Sequence, residues 1–83
     1  MVKKGKDVEA TISGIITPVE WDDYDDVTGV AIQTSDEEEY LVDKNKKGEE
    51  LLELIEQEVE VSGLVKKDED DNFIIKIHEY SVL

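Results

Sequence analysis

Hydrophobic and polar positions alternate over most of this chain, and in one stretch they stop doing so. Val8, Ala10, Ile12, Gly14 and Ile16 fall at period two opposite Glu9, Thr11, Ser13, Ile15 and Thr17, the pattern of a strand with one buried face. A first strand is therefore predicted from about Val8 to Val19. Gly14 has no side chain to pack and predicts a bend or bulge within it. Pro18, which lacks an N–H, restricts the strand's end to an unpaired or edge position. Val30 and Ile32 alternate with Gly29 and Ala31 in a second strand, Val27 to Thr34, and Tyr40 and Val42 oppose Leu41 in a short third, Glu38 to Asp43. Val59, Val61, Gly63 and Val65 mark a fourth, and Phe73, Ile75 and Ile77 against Ile74, Lys76 and His78 a fifth. Tyr80 and Val82 are apolar on the opposite phase, which requires either a bulge near His78 or packing of the chain end on another surface.

The exception is Lys46 to Gln57. On a helical wheel Leu51, Leu52, Leu54 and Ile55 occupy an arc of roughly 160°, with Glu49, Glu50, Glu53, Glu56 and Gln57 opposite, so a one-sided helix is predicted to cover a core. Asn45 or Gly48 is placed to cap it, and Glu49 and Glu50 suit the positive end of its dipole. Glu56 and Glu58, at the other end, do not.

Three strands, a helix and two strands, with a glycine in a long first strand and the Val-x-Val-x-Gly of Val59 to Gly63, resemble the oligonucleotide/oligosaccharide-binding (OB) fold. The resemblance covers Val8 to Leu83 and implies a mainly β fold: a five-stranded Greek-key barrel with one helix between strands 3 and 4. The chain also looks like small acidic single-domain bacterial barrels of this fold. The resemblance further implies a ligand surface on the face of strands 2 and 3, flanked by the loops after strand 1 and between strands 4 and 5. Fold alone does not fix function.

The 83 residues leave room for one domain, 8–83, preceded by a tail, 1–7. Cysteine is absent, so packing supplies the stability without disulfides or thiolate zinc. The first residues carry Lys3, Lys4 and Lys6 but run into Asp7 and Glu9 with no apolar block of the secretory kind. No apolar run approaches the roughly 20 residues of a membrane span. A soluble cytoplasmic protein is expected.

Charge says most about partners. Twenty-three carboxylates against nine lysines and no arginine give a net charge of −14. Such a surface repels phosphate backbones and anionic lipids, and attracts cations and basic proteins. Lys44, Lys46 and Lys47 offset local acidity, and bidentate phosphate recognition by arginine is unavailable. On the OB plan the acids concentrate at both lips of the ligand face: Asp22, Asp23, Asp25 and Asp26 in loop 20–26, and Asp68, Glu69, Asp70 and Asp71 in loop 66–72.

Trp21 and Tyr24 stand within the first of these loops. Either Trp21 folds back over the open end of the barrel, or it is an aromatic anchor ringed by charge, as protein interfaces use them. The reading adopted is a non-enzymatic interaction module that binds a basic protein or a cation through the two loops, with Trp21, Asp22, Asp23, Tyr24, Asp25 and Asp26 as its contact residues. Mimicry of nucleic acid is a related possibility. One alternative is single-stranded nucleic-acid binding, with bases stacked on Trp21, Tyr24 and Tyr40. Another is calcium binding: Asp68, Asp70 and Asn72 match the first ligand positions of an EF-hand loop, with Phe73 where that loop needs glycine. His78, the only histidine, is expected at the surface, and Ser81 falls on the opposite strand face. No activated nucleophile, phosphate loop or zinc motif stands out, so neither catalysis nor a cofactor is expected.

Overall fold

A computed structural model describes residues 8–83; the predicted tail and its lysines, Lys3, Lys4 and Lys6, lie outside the described residues. The fold is mainly β. Five strands, β1 (Val8–Trp21), β2 (Val27–Gln33), β3 (Glu39–Val42), β4 (Glu58–Lys67) and β5 (Phe73–Val82), form one sheet, with α1 (Lys46–Glu50) between β3 and β4. The sheet order is β1-β2-β3-β5-β4, and β4 pairs back onto β1, so the sheet closes on itself. All neighbours are antiparallel except β3 and β5, which are parallel. No helix among the described residues is long and apolar enough to cross a membrane.

β1 achieves closure by changing partners midway. Val8 to Ile15 pair with β4, and Ile15 to Trp21 with β2. Gly14 sits at the changeover, where a β-carbon would collide with the carbonyl oxygen of Gln33. The bend predicted there is thus the place where two strand partners crowd one residue.

Pro18 does not end the strand. It lies opposite Val30, after which the register slips twice, at Val19 and before Trp21. A proline cannot donate to the ladder, and the strand continues by bulging around the gap.

The core is Ile16, Val30, Ile32, Val42, Leu51, Val59, Val61, Ile75 and Ile77, all on the predicted inward phases. The bulge expected near His78 is present. Ser62 faces Glu79 but Gly63 faces Ile77, so His78 is the extra residue and the strand changes phase beyond it. Tyr80 is thereby turned inward, packs on the core and donates its hydroxyl to Glu50 at 2.7 Å. That bond to a carboxylate raises the Tyr80 pKa above its usual value of 10.0.

The helix is shorter than its apolar stripe predicts. Asn45 caps it, accepting from the Gly48 N–H at 2.8 Å and donating to the Ile77 carbonyl. After Glu50 a single 3₁₀ turn, Leu51–Glu53, ends the helical run, and Leu54 to Gln57 is not helical. The backbone of that segment is taken by β1 instead: Glu56 N–H donates to Ile16 O at 2.7 Å, and Ile16 N–H to Gln57 O at 3.0 Å. Glu53, Glu56 and Glu58 would crowd the negative end of a longer helix. The stripe still does its predicted work, since Leu51 is fully buried and Leu52, Leu54 and Ile55 pack on the core.

Three hairpin loops share one construction. In 22–26, 34–38 and 68–72, the first residue's N–H donates to the fifth's carbonyl and the fourth's N–H donates back to the first's. The fourth residues, Asp25, Glu37 and Asp71, take φ of 67°, 67° and 65°. Aspartate tolerates this left-handed conformation better than glutamate does. Glu37→Gly is therefore expected to stabilise the fold by about 1 kcal/mol, read as a higher urea midpoint with unchanged slope, and Asp25→Gly by less.

Candidate functional site: an acidic loop beside an apolar sheet face

The loop 22–26 is built by its own first residue. Asp22 Oδ1 accepts from the Tyr24 N–H at 2.8 Å and the Asp26 N–H at 3.0 Å, a side chain closing a turn on its own backbone. This fixes a tight hairpin tip between Trp21 and Val27, which face each other across it. The remaining side chains point away from the core: Tyr24 is 84% exposed and Trp21 54%. Trp21 is not folded into the barrel end. Asp22, Asp23, Asp25 and Asp26 are all exposed around it.

The loop 68–72 repeats the design. Asp68 Oδ1 accepts from the Asp70 N–H at 2.8 Å and the Asn72 N–H at 2.9 Å, and these bonds to the charged form hold its carboxyl below the usual aspartate range. Asp68, Asp70 and Asn72 are thus together in one turn, with one Asp68 oxygen already committed to backbone donors. Among the described residues no three acidic or histidine side chains converge as a metal site.

The two loops lie at opposite ends of the strand run. Loop 22–26 leads into β2, antiparallel to β3, so it sits where β3 finishes, while loops 34–38 and 68–72 lead into the starts of β3 and β5, where Tyr40 faces Phe73. Between them a single register row crosses the outer face: Thr17 opposite Ala31, Ala31 opposite Leu41, Leu41 opposite Ile74. Its inward-phase neighbours Ile16, Val30, Ile32, Val42 and Ile75 are core, so this row lies on the outer phase, with Ala31 at its middle fully covered. Its members are apolar apart from the Thr17 hydroxyl.

At the end of this row nearest Trp21 the face dips into a shallow depression. Val19, Leu41 and Ile74 wall it, with Gly29 below and Glu20, Asp43 and Lys44 at the rim. The Glu20 side chain passes over Gly29, and its Oε1 meets Lys44 Nζ at 2.6 Å, both side chains more than half exposed. Lys44 thus offsets local acidity, as its charge suggested.

Tyr40 departs from the nucleic-acid expectation. Its ring lies on the inward phase with Val42, stacked on Phe73 with centroids 5.2 Å apart and planes 23° apart, and packs against the core. It belongs to the barrel end rather than to the outer face of β2 and β3, so Trp21, Tyr24 and Tyr40 do not form one stacking platform. His78 is at the surface as expected, half exposed and 3.5 Å from Glu9.

No contiguous motif in the sequence marks the depression. Its signal in the sequence is faint but present: Leu41 and Ile74 are large apolar residues on the phase assigned to solvent. Comparison with known protein families, curated proteins and solved structures finds no match. The class that fold and site define is a small, mainly β protein with one five-stranded sheet, one short helix and an acidic, aromatic-bearing loop.

Proposed function

We propose that this chain is a Greek-key barrel of the OB type acting as a non-enzymatic interaction module, and that it binds a basic protein partner through loops 20–26 and 66–72. The observation that carries this reading is the exposure of Trp21 and Tyr24 on a tip whose other residues are all aspartate. An exposed tryptophan amid charge is costly to leave in water and gains from a partner that covers it. Carboxylates ringing it select a cationic partner and speed its arrival. Trp21 supplies contact area, and Asp22, Asp23, Asp25 and Asp26 supply steering.

Single-stranded nucleic acid is the less suited ligand. Its phosphates would meet those carboxylates, and Tyr40 is engaged with Phe73. A labelled oligonucleotide is expected to show no binding even at low salt, where attraction is strongest.

The test replaces Asp22, Asp23, Asp25 and Asp26 together by asparagine. Asparagine keeps a carbonyl oxygen to close the turn at position 22 and tolerates the left-handed backbone at position 25, so the change removes charge and leaves the loop folded. Affinity for a labelled lysine-rich peptide at low salt is expected to fall about tenfold or more. Unchanged affinity rejects the site.

A further inference from the structure

We propose that the basic partner is recognised by an extended cationic segment carrying one apolar side chain, which seats in the depression between Val19, Leu41 and Ile74 while a flanking lysine or arginine displaces Lys44 from Glu20. The inference rests on the reading above and goes beyond charge to name what the partner must present.

Three observations lead here. The depression is walled by apolar side chains on the outer phase of a closed sheet, where the core offers them no burial: Val19 is 38% exposed, and Leu41 and Ile74 are half-buried. Charge narrows what covers it. A second copy of this chain would bring another net charge of −14 against the same face, whereas a cationic segment meets acidic loops at both ends of the row. Finally, Lys44 already places an ammonium on Glu20 at the rim, with both partners more than half exposed. An exposed pair of this kind contributes little to stability and exchanges readily. Lys44 therefore occupies the place of the partner's cation, and the protein's own ammonium competes with it.

The sheet closes through β1 and β4, and the segment is read by side chains lying across its outer face, with one apolar residue in the depression and cations reaching towards Asp22–Asp26 on one side and Asp68–Asp71 on the other. Side-chain recognition of this kind predicts a composition, cations around one apolar residue, and not a strict backbone register.

The experiment compares two labelled synthetic peptides of equal charge, lysine and serine throughout, one with a central leucine and one with serine in its place. The leucine peptide is expected to bind about tenfold tighter, the effect of burying one such side chain. Leu41→Thr and Ile74→Thr, both good strand residues, are each expected to shrink that difference severalfold, with folding checked by circular dichroism. If either fails to fold, Val19→Asn, at the surface, makes the same test. Lys44→Gln is expected to tighten binding of both peptides more than Lys47→Gln, which removes the same charge beside Glu50 on α1. Equal binding of the two peptides overturns the inference while leaving the charge reading intact, provided the four aspartate substitutions still weaken both. Equal effects of Lys44→Gln and Lys47→Gln overturn the displacement of Lys44. Binding of neither peptide at low salt overturns inference and reading together.

Discussion

Gly63→Ala is expected to cost about 3 kcal/mol or more, a large share of the ~5–10 kcal/mol that a domain of this size holds in reserve. Gly63 is buried inside the barrel on β4, next to the slip in register that leaves His78 as the extra residue on β5. A β-carbon there would collide with the carbonyl oxygen of Lys76 and stand 2.9 Å from the α-carbon of Ile77. Both obstacles are backbone. Neither can swing aside as a long side chain would, so the methyl group is accommodated only by parting β4 from β5, the pair that brings Ile75 and Ile77 into the core. Ser62→Ala is the control. It removes a hydroxyl whose partner is the exposed Thr11 at 3.0 Å, and is expected to cost less than about 1 kcal/mol. Urea unfolding of the two variants reads the difference directly, and equal midpoints would mean that the bulge is free to relax.

Salt is expected to raise the melting temperature by roughly 5 °C between about 10 mM and about 150 mM, as the Debye length shortens from ~30 Å to ~8 Å. The reason is the distribution of charge. Two lysine–carboxylate pairs are found among the described residues, Lys44 with Glu20 and Lys47 with Glu50, while 23 carboxylates must be accommodated on one small surface. Loops 22–26, 34–38 and 68–72 hold acids at the closest spacing a chain allows. Repulsion between these clusters and the acids that folding brings near them is relieved in the unfolded chain and screened by added ions, so stability rises as salt is added. Replacing Asp22, Asp23, Asp25 and Asp26 by asparagine should flatten this dependence. A melting temperature indifferent to salt in the wild type would show that the acids are spaced widely enough to ignore one another.

The parts of the fold legible in the sequence are those with one buried and one exposed face. Ile12, Ile16, Val59, Val61, Ile75 and Ile77 announce their strands because a period of two admits only one inward set. The reversal at Tyr80 and Val82 was equally readable, since a change of phase within a strand demands an extra residue. The apolar pattern predicts a helix longer than the one observed because Leu54 and Ile55 fit a helical wheel as well as they fit the irregular turn that delivers Glu56 and Gln57 to Ile16. Periodicity records which side chains are buried and is silent about which backbone their neighbours pair with.

The site was partly legible for the same reason. An aspartate-rich tip around Trp21 and Tyr24 has no place inside a barrel, and its exposure follows from composition. Tyr40 was harder, because at the mouth of a barrel an inward phase and a functional aromatic look alike until Phe73 is seen stacked on it. The depression depends on Gly29, Leu41 and Ile74, which come from three strands. Their meeting is a product of register and closure, neither of which a linear pattern contains.

The proposed function requires that Trp21, within its aspartates, contact the basic partner. Trp21 is the only tryptophan in the chain, so its emission reports on that one site. Titration with the leucine-bearing lysine peptide at low salt is expected to shift this emission to shorter wavelength as the ring leaves water. Added salt should reverse the shift, and the four aspartate-to-asparagine changes should weaken it. Saturable peptide binding with the Trp21 emission unmoved would contradict the account.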